Sequence, residues 1–404
     1  MFPSPQHYRT FLTVLMTYTL DLLGFSIVFP VLAPLLLDTH LHFFQPHTLE
    51  MTRTTILGVL FAVFGGAQFI GAPIAGALAD HYGRYKVFLA TIGLSILGYA
   101  LMAASIYYES LAWVFVGRIV TGFCSGNVGL AQSTTADLTT VENRSRAFSV
   151  LIGVGSLGFV VGPWIGGKLG NPDWLSGSGA FIFAAIAALI NFIMVYFFFV
   201  ETWKRKGEKA HLLKTIQDLR LVYQHKTLRI LLTSLLLFSV GWAFYLIFSP
   251  TFLVQRFSLK SDQIGDIFAY LALVWFFVTM FLNKELVGKF TLRSLIVTGT
   301  LFASIGVALF VWPDHLWWYW IIIPVGIFGG ALSWVNLNAL LSTTASEEMQ
   351  GRAMGAASSM WSVGQTVAPL AAGPLAGWNL YSPLLVGAVI IAISFLYFAV
   401  CYRR

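Results

Sequence analysis

The chain has 404 residues, of which 57% are hydrophobic and only 10% are charged. Soluble domains carry about 25% charged residues, so this composition excludes an ordinary aqueous fold and predicts a protein of the lipid bilayer. The net charge of +7 does not indicate a nucleic-acid partner, because the basic residues follow the pattern of membrane topology.

Apolar runs of roughly 20 residues, the length that a helix needs to cross a bilayer, recur along the chain. The first run is too long for a signal peptide and lacks a small-residue cleavage site, so we expect it to be retained. Division at the polar gaps predicts twelve spans, at 9–37, 53–79, 86–106, 111–138, 145–169, 178–200, 228–254, 263–282, 293–312, 316–343, 352–376 and 381–401.

One long gap, 201–227, separates the sixth and seventh spans. It divides the chain into a predicted N-terminal six-helix bundle (1–200), a cytoplasmic linker (201–227) and a C-terminal six-helix bundle (228–404). Apolar residues recur in the linker at helical spacing among Lys and Arg: Leu212, Leu213, Ile216, Leu219, Val222 and Tyr223. This pattern is typical of an amphipathic helix on a membrane surface, and a solvated linker helix is the alternative.

The basic residues predict the orientation of the spans. With the N-terminus inside the cell, 19 of the 24 Lys and Arg residues fall on the cytoplasmic side, four fall outside, and Arg118 lies within a span. Cytoplasmic loops carry such an excess of positive charge. We therefore expect both termini to be cytoplasmic.

The two halves of the sequence resemble each other. When the segment from Glu142 is aligned with the segment from Glu348, 9 of 28 positions are identical, including Pro163 with Pro369 and Gly167 with Gly373. The fifth and eleventh spans are therefore predicted to be equivalent members of an internal repeat. Chance similarity between two spans rich in Gly and Ala is the alternative.

Four stretches carry distinctive motifs. GALADHYGRYK lies between the second and third spans, VGRIVTGFCSGN in the fourth, GFVVGPWIGG in the fifth, and LDLLGFSIVFPVLAP in the first. The residues of interest in them are Gly76, Leu78, Asp80, Gly83, Arg84 and Lys86, then Arg118 and Gly122, then Gly158, Gly162, Pro163, Gly166 and Gly167, and finally Asp21, Gly24, Pro30 and Pro34.

These motifs resemble those of the major facilitator superfamily. Its loop motif reads G-x-L-a-D-x-x-G-R-x-K, its fourth-span motif R-x-x-x-G, and its fifth-span motif G-x-x-x-G-P-x-x-G-G, which is typical of antiporters. The first span is similar to that of proton-coupled drug exporters of the tetracycline type. The resemblance implies an all-α membrane fold with two pseudo-symmetric six-helix bundles around a central cavity, and transport by alternating access. The second half departs from the loop motif, because LNKELVGKFTLR (282–293) lacks its aspartate and its Gly-Arg pair.

The charges of the loop motif admit two interpretations. Arg84 and Lys86 alone would serve as topology signals, whereas Asp80 adds nothing to such a signal. A carboxylate is stabilised near a helix N-terminus, so Asp80 is predicted to cap the eleventh span, and Arg84 to pair with Asp137. With Gly76 and Gly83, these residues would form a cytoplasmic latch that opens during transport.

The fifth span contains GVGSLG (153–158), which satisfies the dinucleotide-binding pattern G-x-G-x-x-G. It lies inside an apolar span with no preceding strand, so we interpret the match as spurious. Glycines at this spacing instead permit close packing of helices in lipid. A role of this motif in the direction of exchange is implied by the resemblance alone.

Two charged residues lie deep inside predicted spans, away from the span ends: Asp21 and Arg118. Such groups are costly in a bilayer and usually functional. Asp21 lies 12 residues after Arg9, which places it about 18 Å along a helix, near the bilayer midplane. Removal from water favours its neutral form, so it is the predicted proton carrier. Arg118 is predicted to assist coupling or, alternatively, to bind backbone carbonyls of the first span.

In the family fold, spans 1, 4, 7 and 10 line the central cavity. The polar and aromatic candidates for a solute site there and on span eleven are Asn127, Gln132, Tyr245, Trp334, Asn336, Asn338, Trp361 and Gln365. Each could instead bond a neighbouring helix. An apolar, aromatic lining suits an amphipathic organic molecule, and Trp334 or Tyr245 would favour a cation.

We therefore expect a proton-coupled antiporter that exports an amphipathic, drug-like compound across the cell (inner) membrane. It would act as a monomer in the lipid bilayer, with no nucleic-acid partner, no metal, and no cofactor besides the proton gradient. The alternative is a proton-coupled importer of a nutrient or of a metal-chelating organic acid. A membrane sensor is a third class, although no cytoplasmic domain is appended, and no nucleophile, carboxylate pair or metal cluster indicates an enzyme.

Overall fold

The computed structural model describes residues 4–38, 43–45, 47–171, 175–202 and 220–402. Within these ranges the chain forms helices and no strands, so the predicted all-α class is confirmed. The predicted amphipathic helix of the linker falls mostly outside the described residues. Its described end is helical, and Val222 is buried there.

Long apolar helices follow one another along the chain, joined by short connections. They are α1 (Pro5–Ser26), α2 (Phe29–Leu37), α3 (Glu50–Tyr82), α4 (Arg84–Tyr107), α5 (Leu111–Cys124), α6 (Asn127–Leu138), α7 (Val141–Leu169), α8 (Gly179–Phe198), α9 (Lys226–Phe257), α10 (Ser261–Phe277), α11 (Asn283–Val287), α12 (Leu292–Leu309), α13 (Tyr319–Thr344), α14 (Glu347–Trp378) and α15 (Ser382–Cys401).

Three predicted spans are interrupted helices. The first span divides into α1 and α2, where Pro30 in the first turn of α2 has no N–H to continue the preceding helix. The fourth divides into α5 and α6 at Ser125 and Gly126. The eighth passes from α10 into a π-helical turn, Val278–Leu282, and then into α11. Broken helices and π-turns recur at functional sites in membrane transporters.

Eleven helical segments of the described chain are long and apolar enough to cross a membrane. The eleventh predicted span corresponds to α14. This helix is long enough to cross a membrane, with 32 residues, but it is not one of the eleven apolar segments. Its sequence is rich in Gly, Ser and Gln and begins with charged residues. Its low hydropathy follows from these residues, and with α14 the architecture is that of twelve spans.

The chain packs into two compact units. Unit 1 comprises Met1–Pro46, Gly66–Leu212 and Leu259–Ala269; unit 2 comprises His47–Gly65, Leu213–Ser258 and Tyr270–Arg404. Each unit therefore contains a helical segment from the other half of the sequence. The first part of α10 belongs to unit 1, and the first part of α3 belongs to unit 2.

Both of these exchanged segments pack through glycine. In unit 1, Gly265 of α10 lies against the Pro163 carbonyl oxygen and Gly167 of α7, and in unit 2, Gly58 of α3 lies against the Pro369 carbonyl oxygen and Gly373 of α14. The α7 and α14 partners are the repeat-related residues of the sequence alignment. The repeat is thus expressed as equivalent packing, which chance similarity does not explain.

Candidate proton and solute sites

Asp21 lies in the C-terminal part of α1, shortly before the break in the first span, and within unit 1. Its Oδ1 is 3.5 Å from the amide nitrogen of Asn127, and the oxygen of that amide is 2.6 Å from the Thr91 hydroxyl. Its Oδ2 is buried and makes no hydrogen bond within the described part of the chain. One oxygen of Asp21, the predicted proton carrier, therefore contacts Asn127 at the break in the fourth span. The other oxygen has no hydrogen bond in the described part of the chain.

Arg118 of α5 is 2% exposed, as expected for a charge inside the bundle. Tyr99 of α4 lies close enough to interact electrostatically with both Arg118 and Asp21. Tyr99 thus lies near both of the ionisable groups that the sequence predicted. The role of Arg118, in coupling or in structure, stays a prediction.

The charged loop motif forms a network at the end of the bundle that is predicted to be cytoplasmic. Arg84 pairs with Asp137 at 3.4 Å and with Asp80 at 3.2 Å. The predicted pair of Arg84 with Asp137 is therefore present. Around Gly76 a side chain would meet nothing within 4 Å. The opening of this network during transport, and a cap by Asp80 on the eleventh span, stay predictions.

Gly83 has a positive φ of 97° and directly precedes α4. Because Gly83 is the residue before α4, no side chain at that position caps the helix. Instead, the carboxylate of Glu201, just after α8, accepts hydrogen bonds from the backbone N–H groups of Arg84 (3.0 Å) and Tyr85 (3.1 Å). A Cβ at position 83 would overlap that carboxylate. Glu201, which sequence reasoning missed, therefore serves as a distant N-cap.

The glycines of the fifth-span motif lie against α1. Gly158 packs on the Thr19 carbonyl, Gly162 on Ser26 and Gly166 on Ile27, whereas Gly167 faces α10. Pro163 lies within the continuous helix α7. Close packing of two helices accounts for these residues directly; a role in exchange direction stays a prediction.

The predicted solute-site residues fall in both compact units. In unit 1, Asn127 contacts Asp21, and Gln132 lies beside Tyr18. In unit 2, Trp334 and Trp361 have ring centroids 4.8 Å apart, whereas Tyr245 is 2% exposed.

The remaining amides of unit 2 have local partners. The Asn336 side chain donates to Asn283, at the end of the π-turn, at 2.8 Å, and the Asn338 side chain donates to the Trp334 carbonyl. Gln365 is 4% exposed, and its Nε2 has no hydrogen-bond partner within the described ranges. Trp361 and Gln365 lie one turn apart on α14, and Trp361 contacts Trp334; the binding of solute by these residues stays a prediction.

Sequence reasoning also missed polar residues beside Asp21. Asn191 of α8 is 2% exposed and accepts a hydrogen bond from Thr17 of α1 at 2.8 Å. Ser95 and Tyr99 of α4 border a small cavity together with Asp21 and Asn191. A polar residue in the apolar run of α8 was the available signal.

A sequence profile described as the Major Facilitator Superfamily matches residues 14–369 and 286–404. The chain belongs to the major facilitator superfamily. It is accordingly a multi-pass membrane transporter and not an enzyme. The expected twelve-helix fold of the superfamily is confirmed.

Individual superfamily members agree with the assignment. The chain is 29% identical to the class H tetracycline resistance protein of Pasteurella multocida over 367 residues, which are 90% of this chain and 88% of that protein. It is 27% identical to the class C tetracycline resistance protein of Escherichia coli over 369 residues, 89% and 87% of the two chains. The crystal structure of the human organic anion transporter MFSD10 (TETRAN) superposes with a TM-score of 0.73 at 22% identity, and covers 98% of this chain and 100% of that one.

Proposed function

We propose that the protein is a proton-coupled antiporter that exports an amphipathic organic compound. The observation that carries the proposal is the carboxylate of Asp21, which lies inside the first span with its Oδ2 buried and without a hydrogen bond in the described part of the chain. Ionisable groups in such positions usually serve ion transport. The similarity to tetracycline resistance proteins over most of the chain supports export of a drug-like solute.

In this mechanism Asp21 alternates between two protonation states. The neutral acid is tolerated in the apolar bundle, whereas the carboxylate is costly there. Proton binding from outside and solute binding from the cytoplasm would each permit reorientation. Because each cycle then returns Asp21 to its starting state, the inward movement of a proton drives the outward movement of solute.

The topology is part of the same proposal. Both termini would lie in the cytoplasm and the spans in the cell (inner) membrane, as the positive charge of the loops indicates. The Arg84 network would then lie at the cytoplasmic end of unit 1, and the working unit would be a monomer.

The test is transport by purified protein in proteoliposomes with an imposed pH gradient. Tetracycline is the first probe, and a thermal-shift screen of cationic drugs, amino acids and organic acids identifies others. We expect solute movement against its gradient, coupled to opposite proton movement that a pH-sensitive dye records. Asp21→Asn should abolish this coupling but keep exchange of labelled for unlabelled solute.

Asp314→Asn is the matched control, because this carboxylate is exposed and pairs with Arg256 at 2.6 Å. It should couple like the parent protein. If Asp21→Asn still accumulates solute at the expense of the pH gradient, the proposal is wrong. If protons and solute move in the same direction, the protein is a symporter and the alternative of an importer holds.

A further inference from the structure

A small cavity lies beside Asp21 within unit 1, between α1, α4 and α8. Its apolar wall consists of leucine, isoleucine and alanine side chains, and its polar residues are Asp21, Ser95, Tyr99 and Asn191. The space open to the centre of a water molecule is about 20 Å³. A site needs about 10–15 Å³ by this measure to hold one water, so the cavity has room for water.

Polar groups of three helices surround this space. The unsatisfied Oδ2 of Asp21 is one of them. The Tyr99 hydroxyl lies directly over Gly24, where any side chain would displace it. The side-chain oxygen of Asn191 accepts a hydrogen bond from the Thr17 hydroxyl, so the NH₂ group of Asn191 points away from Thr17. A buried water typically makes about three hydrogen bonds, and Asp21, Tyr99 and Asn191 offer acceptors and donors of the required kinds.

The size of the cavity decides between two possible occupants, an organic solute and water. Drug-sized ligands occupy pockets of about 300–1,000 Å³, far more than this space provides. In the conformation described, an organic solute does not fit this space, whereas water does. The carboxylate that would carry the proton therefore borders a space that is too small for the solute in this conformation.

We propose that this cavity is the water site through which Asp21 gains and loses its proton, with Tyr99 and Asn191 as positioning residues for that water. The inference rests on the proposed function of Asp21 as proton carrier. The protonated carboxyl gives its proton to the water, which becomes a hydronium ion, and the reverse transfer reloads it. Solute and proton then interact through the conformation of the bundle and not by sharing one pocket.

The titratable neighbours of Asp21 are few in the part of unit 1 that the structure describes. They are Tyr99 from α4 and Cys124 from α5, and Arg118 of α5 in turn lies near Tyr99. The other helices contribute Asn127 from α6, glycines from α7 and Asn191 from α8, none of which titrates. Tyr99 is thus the titratable group that both borders the cavity and lies near Asp21.

Filling the cavity tests the proposal. Ala188 lines it and is 9% exposed, so Ala188→Leu should displace the water. In the proteoliposome assay, proton-driven tetracycline transport should slow by about a hundredfold, the low end of what a proton-transfer partner contributes. Exchange of labelled for unlabelled tetracycline without a pH gradient should stay within about twofold, because that half-cycle needs no proton transfer.

Ala185→Leu is the control, since Ala185 lies on the same helix, adds the same volume and does not border the cavity. It should match the parent protein in both assays. Tyr99→Phe is the second variant, because it keeps the ring and removes only the hydroxyl. It should shift the pH profile of proton-driven transport while exchange is kept.

The outcomes distinguish this inference from the proposed function. If Asp21→Asn keeps its coupling, the antiport mechanism fails and the water site fails with it. If Asp21→Asn uncouples but Ala188→Leu and Tyr99→Phe retain the parent rate and pH profile, only the water site is wrong. Equal slowing of exchange and of proton-driven transport by Ala188→Leu would also overturn it, since a general packing defect then explains the result.

Discussion

Gly83 and Glu201 together determine how α4 begins. The first N–H groups of a helix need acceptors, and these usually come from a Ser, Thr, Asp or Asn just before it. Gly83 has no side chain, and the Glu201 carboxylate, 117 residues after Arg84, supplies the acceptor instead. The acid also lies where a helix N-terminus favours negative charge. The pair therefore fixes the start of α4, from which Arg84 reaches Asp80 and Asp137.

Replacement of Glu201 tests this cap. Glu201→Ala should lower the free energy of unfolding by about 1 kcal/mol, as loss of a helix cap does. Glu201→Gln keeps an oxygen acceptor and should lose less. Thermal unfolding in detergent measures both, with Glu285→Ala at an exposed acid as control. Equal stability of Glu201→Ala and the control variant would contradict the assigned role.

At the scale of single helices, the packing of α7 on α1 depends on glycine. Gly155, Gly158, Gly162 and Gly166 recur every three or four residues on α7, and each faces α1. This spacing keeps them on one side of the helix. The backbone of α1 approaches so closely that even a methyl group would meet the carbonyl oxygen of Thr19 at Gly158. Gly158, Gly162 and Gly166 of the fifth-span motif thus form a packing surface for the helix that carries Asp21.

Gly158→Ala tests this surface. Because the obstructing atom belongs to the backbone of α1, the helices must separate, and we expect a loss of about 1–3 kcal/mol, as for other overpacked sites. Gly129→Ala is the control, since a side chain there would meet nothing within 4 Å. The control should leave the unfolding temperature unchanged or raised, because alanine favours helix. Similar unfolding temperatures for the two variants would exclude the packing explanation.

The sequence predicted most of these elements but did not locate their interruptions. Long apolar runs determine where spans lie, because no other structure satisfies the backbone inside lipid. Pro30 and Gly126 were visible, but such residues also occur within continuous helices, as Pro163 does in α7. The π-turn at Val278–Leu282 has no comparable signal in its residues, since it depends on hydrogen-bond register.

The sequence alone predicted those residues of the candidate site that carry a charge. Asp21 and Arg118 are conspicuous in apolar runs, and the pair of Arg84 with Asp137 follows from opposite charges on one side of the membrane. Asn191 and Glu201 were missed because their partners lie far away in sequence, Thr17 at a separation of 174 residues. Their contacts depend on which helices become neighbours, and the pattern of apolar residues does not specify that.

At the scale of the whole molecule, the internal repeat places equivalent contacts in both compact units. Gly265 against Pro163 and Gly167 in unit 1 corresponds to Gly58 against Pro369 and Gly373 in unit 2. The correspondence is incomplete, because Lys168 and Asp266 add an ion pair of 2.9 Å to the unit 1 contact. Both of its side chains are exposed by more than two-fifths, so it contributes about 0–1 kcal/mol.

Equivalent substitutions should therefore have equivalent effects. Gly58→Ala and Gly265→Ala each place a methyl group against backbone atoms, and each should lower the unfolding free energy by about 1–3 kcal/mol. The two sites share no partner, so the double variant should show the sum within about 0.5 kcal/mol. Unfolding in detergent at matched protein concentration measures all three. A double variant no less stable than either single variant would show that the contacts are not independent.

The single carboxylate beside the small cavity of unit 1 has an electrical consequence. If Asp21 is the carrier, each cycle moves one proton inward. Export of a neutral solute then transfers one net positive charge, and a membrane potential of 100 mV would contribute about 2.3 kcal/mol to it. Export of a monovalent cation transfers no net charge, so it would draw on the pH difference alone. The response of transport to a potassium diffusion potential would thus reveal the charge of the exported molecule before its identity is known.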